Sequence, residues 1–181
     1  MPMPSFVALL RGVNVGKAKR VPMADWRAQL EALGYTEVAT LLNSGNAVFR
    51  GRSGATRAHA QAISSAIERG LNLSVPVVVK SSTELAAIVA ENPYAAAPDH
   101  SRLLVAYTQD PTSLAELAAL ARLASPPDEF FVGKHAAYLH CVGGILESKV
   151  ASAMLGKAGG TATTRNWATT LKLRALLEAR A

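Results

Sequence analysis

Cysteine is all but missing from this chain. Cys141 is the only one, so no internal disulfide can form, and a reducing compartment fits. Aromatic residues amount to 6%, too few for the base-stacking platform of an RNA-recognition module. The segments FVALLRG and SGNAVFR offer one aromatic each and do not match that module's binding motif. No apolar run approaches the roughly 20 residues of a membrane span. The opening MPMPSFVALLRG has no cationic segment before its short apolar stretch, so it does not read as a signal peptide. These absences predict a soluble, cytoplasmic protein with no membrane partner.

Catalytic signatures are missing as well. The sequence contains no G-x-G-x-x-G, G-x-S-x-G, H-E-x-x-H or S-x-x-K motif. Acidic residues are dispersed, so no acid–base pair can be named. The four histidines, His59, His100, His135 and His140, show no metal-ligand spacing, and strand alternation puts His135 and His140 on opposite faces. Cys141, in an apolar strand, reads as a small buried hydrophobe. No catalytic residue, metal or cofactor is therefore assigned.

What the chain does have is apolar content and positive charge. Half of its 181 residues are hydrophobic, ample for a packed core, and the formal net charge is +6. A basic balance of this size permits binding to nucleic acid or other phosphate-bearing partners.

Periodicity gives the order of elements. SFVALL is a strand buried on both faces; VPMADWRAQLEALG is a helix with Pro22 in the first turn and Gly34 at the end. EVATLLN and AVFR form a hairpin about Ser44-Gly45-Asn46. Residues 58–69 form a helix stopped by Gly70, and VPVVVK is a strand that Pro76 marks as an edge or a strand beginning. This order, strand-helix-strand-strand-helix-strand, is that of a ferredoxin-like α/β plait. A helix follows from a Ser81–Glu84 capping box. The pattern then partly repeats: RLLVAYT, a helix capped by Asp110-Pro111, a hairpin of EFFV and AAYLHCV, the helix SKVASAML, TATT as a short strand, and a terminal helix. The fold class predicted is α+β: two ferredoxin-like subdomains with antiparallel sheets, residues 1–81 and 82–181, the second including the C-terminal helix.

Two segments stand out as candidate sites. LLRGVNVGKAKR breaks from an apolar run into a loop with two glycines and four cations. It is not a nucleoside-triphosphate P-loop, since Gly12 and Gly16-Lys17 are one residue too close and Ala18 replaces the magnesium-binding hydroxyl. Its glycines and the helix start near Pro22 would still let backbone N–H groups converge on an anion. The bland alternative is a glycine turn with solvated lysines. Ser44 and Asn46 add polar groups on the hairpin, although plait topology is expected to keep them away from the first loop. In TTRNWATTLKL, Thr164 is expected to cap the helix. Arg165 and Asn166 then fall in its first turn, with Trp167 and Leu171 facing the core. An arginine there opposes the helix dipole, so it is expected to reach a carboxylate, a carbonyl or a ligand.

Together, ALLRGVNVGKAKRVPMADWRAQLEALGY, LLNSGNAVFR, ENPY and ATTRNWATTLKL closely resemble the bacterial family known as domain of unknown function 1697. The resemblance runs from about Phe6 to Leu173. That family's loop usually has two adjacent glycines, where Lys17 stands here. The resemblance implies two ferredoxin-like subdomains and no established activity. The function expected is non-enzymatic binding of an anionic, phosphate-bearing ligand, nucleic acid included, through Arg11, Gly12, Asn14, Gly16, Lys17, Lys19, Ser44, Asn46, Arg165 and Asn166. The alternatives are an enzyme acting on a small anionic substrate between the subdomains, and a homo-oligomeric adaptor using an exposed sheet edge.

Overall fold

The structure, a computed structural model, describes residues 2–17 and 19–181. Met1 and Ala18, the latter used above to exclude a P-loop, lie outside the described residues.

The chain divides into two compact units, Met1–Thr83 with Leu173–Ala181, and Glu84–Lys172. In the first, β1 (Ser5–Leu10), α1 (Met23–Ala32), β2 (Thr36–Leu41), β3 (Asn46–Arg50), α2 (Thr56–Leu71) and β4 (Val77–Ser81) follow in order. The antiparallel sheet has the order β2-β3-β1-β4. Strand alternation sends Phe6, Ala8 and Leu10 toward the helices. There they meet Trp26 and Leu30 of α1, Ile63 and Ile67 of α2, and Phe49 of β3. Each of the leucines, isoleucines and phenylalanines, fully buried, is worth about 1.5–3 kcal/mol. The other face of β1 is equally dry, with Val7 and Leu9 fully buried.

The second unit repeats the pattern. It holds most of α3 (Ser82–Glu91), then β5 (Leu103–Tyr107), α4 (Pro111–Leu117), β6 (Glu129–Val132), β7 (Ala137–His140), α5 (Lys149–Leu155) and β8 (Thr163–Asn166). It also holds the start of α6 (Trp167–Glu178). Its sheet order is β6-β7-β5-β8, the counterpart of the first. The core joins Leu104 and Ala106 to Leu114, Leu117, Leu139, Val150 and Met154, with Cys141 buried among them. The class is α+β, consistent with two ferredoxin-like subdomains, as the element order predicts. Asp110 caps α4 by accepting from the Ser113 N–H at 2.8 Å, with Pro111 behind it. Beyond Leu117 the helix tightens into a 3-10 segment, Ala118–Leu123.

Four local expectations are overturned. Gly70 does not stop α2, which runs to Leu71 and ends at Asn72, in the left-handed region at φ 53°. Asparagine tolerates that conformation, and Gly70 serves instead to admit Gln29 of α1, whose side chain would meet an added Cβ at 2.2 Å. Thr164 does not cap the terminal helix. It pairs with Ala106 inside β8, where a β-branched residue sits comfortably, and Asn166 takes the cap by accepting from the Thr169 N–H at 2.9 Å. Arg165 and Asn166 are therefore strand residues, not first-turn ones. Trp167 faces the core as expected, with Thr169, Thr170, Leu173 and Leu177, but Leu171 is only half-buried.

Candidate functional site at the β1–α1 loop

The loop between β1 and α1 is built around Asn14. Its amide nitrogen donates to the Val21 carbonyl at 2.8 Å and the Asn43 carbonyl at 2.7 Å, and its Oδ1 accepts from the Val21 N–H at 2.9 Å. Asn14 itself sits at φ 56°, between Gly12 at 68° and Gly16 at 56°. Three left-handed residues in five turn the chain sharply, a conformation that glycine and asparagine adopt most cheaply. Two of the loop's cations brace it: Arg20 Nη2 donates to the Gly16 carbonyl at 2.6 Å, and Lys19 Nζ bonds the Ser74 carbonyl. Lys17 is exposed. Arg11 is half-buried, and burial lowers its pKa from the ordinary guanidinium value.

The β2–β3 hairpin stands at this same end, contrary to the topological expectation. β1 and β2 are both antiparallel to β3, so they run the same way and their C-terminal ends coincide. Asn14 bonds Asn43, and the Leu10 N–H donates to the Gly45 carbonyl at 2.9 Å, joining the segments. Gly45, at φ 85°, is pressed so close that an added Cβ would lie 2.6 Å from Leu10 Cβ. Asn46 faces inward, fully buried, donating to the Leu41 carbonyl and to Ser44 Oγ, each at 2.9 Å. Ser44 and Asn46 thus shape the turn.

Between loop and hairpin lies an open depression of about 280 Å³, lined by Asn14, Arg20, Val21, Pro22, Met23 and Asn43. It adjoins the first turn of α1, where Pro22 occupies the cap position and supplies no side-chain oxygen. Asp25 sits in that turn and partly offsets the positive end of the helix. Arg20, not among the residues picked from sequence, is the cation that lines the depression; its place two residues before Pro22 is the signal for it. Among the described residues, no group of three or more His, Cys, Asp or Glu could hold a metal ion.

Arg165 and Asn166 belong to the second unit. Arg165 is only 8% exposed and donates to Thr163 Oγ1 at 2.8 Å and the Thr164 carbonyl at 2.7 Å. Burial lowers its pKa to about 10, with the neighbouring Tyr107 acting the other way. Of the partners anticipated for this arginine, a backbone carbonyl is one it reaches. Asn166 is engaged in capping α6.

Residues 3–138 match the family described as "Protein of unknown function (DUF1697)". The chain belongs to that family. Among solved structures, this DUF1697 chain resembles a conserved bacterial protein of Streptococcus pneumoniae at a TM-score of 0.76 and 20% identity. The likeness covers 97% of this chain and 99% of that one. At such identity it speaks for the fold alone. No curated protein matches the sequence. The β1–α1 loop and the β2–β3 hairpin fall inside the family match, whereas Arg165 and Asn166 lie beyond it. No described helix is long and apolar enough to cross a membrane.

Proposed function

We propose that this DUF1697 protein binds a phosphate-bearing ligand, without transforming it, in the depression between the β1–α1 loop and the β2–β3 hairpin. The observation that carries the reading is an α1 N-terminus with no side-chain cap, open to a depression on whose wall Arg20 stands. The first-turn N–H groups and a guanidinium together form a donor set suited to one phosphate group. Lys17, exposed on the same loop, adds charge. Gly12, Asn14, Gly16, Ser44 and Asn46 hold the frame, and Arg11 and Lys19 contribute positive potential. Arg165 and Asn166 are left out, being engaged in the second unit.

Calorimetric titration with pyrophosphate and with a single-stranded oligonucleotide tests the reading. The variant Arg20→Ala with Lys17→Ala is expected to bind about tenfold or more weakly, the loss of one or two charge-assisted bonds. Unchanged affinity in that variant would dismiss the site. Salt dependence identifies the carrier of the phosphate: a slope of about one or two in log K against log salt indicates an isolated group. A slope of about six or more indicates a nucleic-acid backbone.

A further inference from the structure

The two sheets end in four border strands, β2, β4, β6 and β8. β2 carries a bulge between Thr36 and Ala39, and the Glu37 carbonyl is taken by Arg180 Nε at 3.0 Å. β4 follows Pro76 and is buried through its centre, and β8 alternates buried and half-buried residues. β6 differs from all three. Its register with β7 is unbroken from Glu129↔His140 to Val132↔Ala137, and Phe131 is 41% exposed. An exposed, regular, apolar border strand is a template for another strand.

The ladder fixes which groups face outward. The Gly133 N–H donates to the Ala136 carbonyl at 2.8 Å. Antiparallel pairs alternate, so Phe131/Tyr138 and Glu129/His140 are the hydrogen-bonded pairs of the β6–β7 ladder. The main-chain groups of Phe130 and Val132 therefore point away from β7.

We infer that β6 pairs antiparallel with β6 of a second copy of this chain, about a two-fold axis at Phe131. In that register Phe130 and Val132 of one copy exchange main-chain bonds with Val132 and Phe130 of the other. Phe131 meets Phe131 in a close, non-hydrogen-bonded pair. Phe131 already stacks on Tyr138 at 6.2 Å, so the pair extends an aromatic row across the seam. Phe130 and Val132, half-covered at the margin of the core, become enclosed. One residue beyond the strand at one end and two at the other, the same register sets Asp128 opposite Lys134 of the other copy, twice over by symmetry. Glu129 falls opposite Gly133 and gains no partner, but the outward main-chain groups, the two Phe131 rings and the Asp128–Lys134 charges all match under one two-fold, and this self-complementarity points to a second copy.

Sedimentation equilibrium of the full chain over a wide concentration range tests this. A reversible dimer is expected. Phe131→Glu should yield a folded monomer with an unchanged circular dichroism spectrum, because the side chain stands at the border of the sheet and is 41% exposed. Asp128→Lys should weaken the dimer about tenfold, and adding Lys134→Glu should restore it, since like charges opposite each other repel and the swap re-pairs them. A wild-type monomer at every concentration overturns the inference, as does a dimer indifferent to Phe131→Glu. Failure of the double swap to restore a dimer weakened by Asp128→Lys overturns the register. Phosphate binding at the β1–α1 loop is independent of every one of these outcomes.

Discussion

Glu91 shows how one side chain can hold a turn. From the end of α3 its carboxylate accepts from the Lys134 N–H and from the His135 N–H at 3.1 Å, with the Tyr138 hydroxyl 2.9 Å away. Burial pushes this carboxyl up, but the hydrogen bonds from His135, Lys134 and Tyr138 outweigh it, and its pKa falls below the ordinary 4.5. A carboxyl with a depressed folded pKa adds stability that is present above its unfolded value and is lost as pH falls through the folded one. The protein is therefore expected to lose stability below about pH 4.5. Glu91→Gln should lose less over that range, a difference that melting temperatures at stepped pH will register. Equal slopes in the two proteins would contradict it. Gly45→Ala acts through geometry instead. It forces a Cβ into the left-handed region and against Leu10, and is expected to cost about 2–4 kcal/mol in denaturant unfolding.

Helix ends are where sequence and structure part. Strands and helices were legible because their apolar periodicity is forced by burial: Trp26 and Leu30, or Ile63 and Ile67, have nowhere else to go. Ends depend on competition between residues that can do the same task. Thr164 and Asn166 are both good caps, and sequence cannot tell which is recruited; pairing of Thr164 with Ala106 decides it. Asn166→Ala should accordingly cost about 1 kcal/mol of stability, while Asn166→Asp should be neutral or mildly stabilising beside the helix N-terminus. A Thr164→Ala variant as damaging as Asn166→Ala would return the cap to the threonine. The candidate site was legible in the same partial way. The left-handed glycines and Asn14 announce a special loop, but its contact with Asn43 is a consequence of strand direction, visible only once β2 and β3 are paired. Asn46 looked like a ligand group because a polar residue in a turn gives no sign of which way it faces.

The two ends of the chain meet at Arg50. Its Nη1 donates to the Met3 carbonyl at 3.1 Å, its Nη2 bonds the Arg180 carbonyl, and its Nε lies 3.2 Å from Glu37 Oε2. Arg180 in turn caps the Glu37 carbonyl on the bulged border strand. The last residues of the chain thereby belong to the first unit, far in sequence from the strands they secure. Deleting residues 179–181 removes the Arg180 contacts to Arg50 and to Glu37, leaves Arg50 with fewer acceptors and frees the β2 border. The loss should be about 1–3 kcal/mol, the range for two hydrogen bonds, one of them to a charged donor that is left partly unpaired. Its distribution is the sharper test. Hydrogen exchange should quicken along the β2–β3 ladder, where Glu37 at φ 49° already departs from regular pairing, and stay unchanged from β5 to β8. Exchange that quickened equally in both sheets would mean that the terminus supports the molecule as a whole. The same deletion leaves Arg20, Lys17 and the β1–α1 depression intact, so pyrophosphate affinity should be retained by the truncated chain if the ligand site is where we place it.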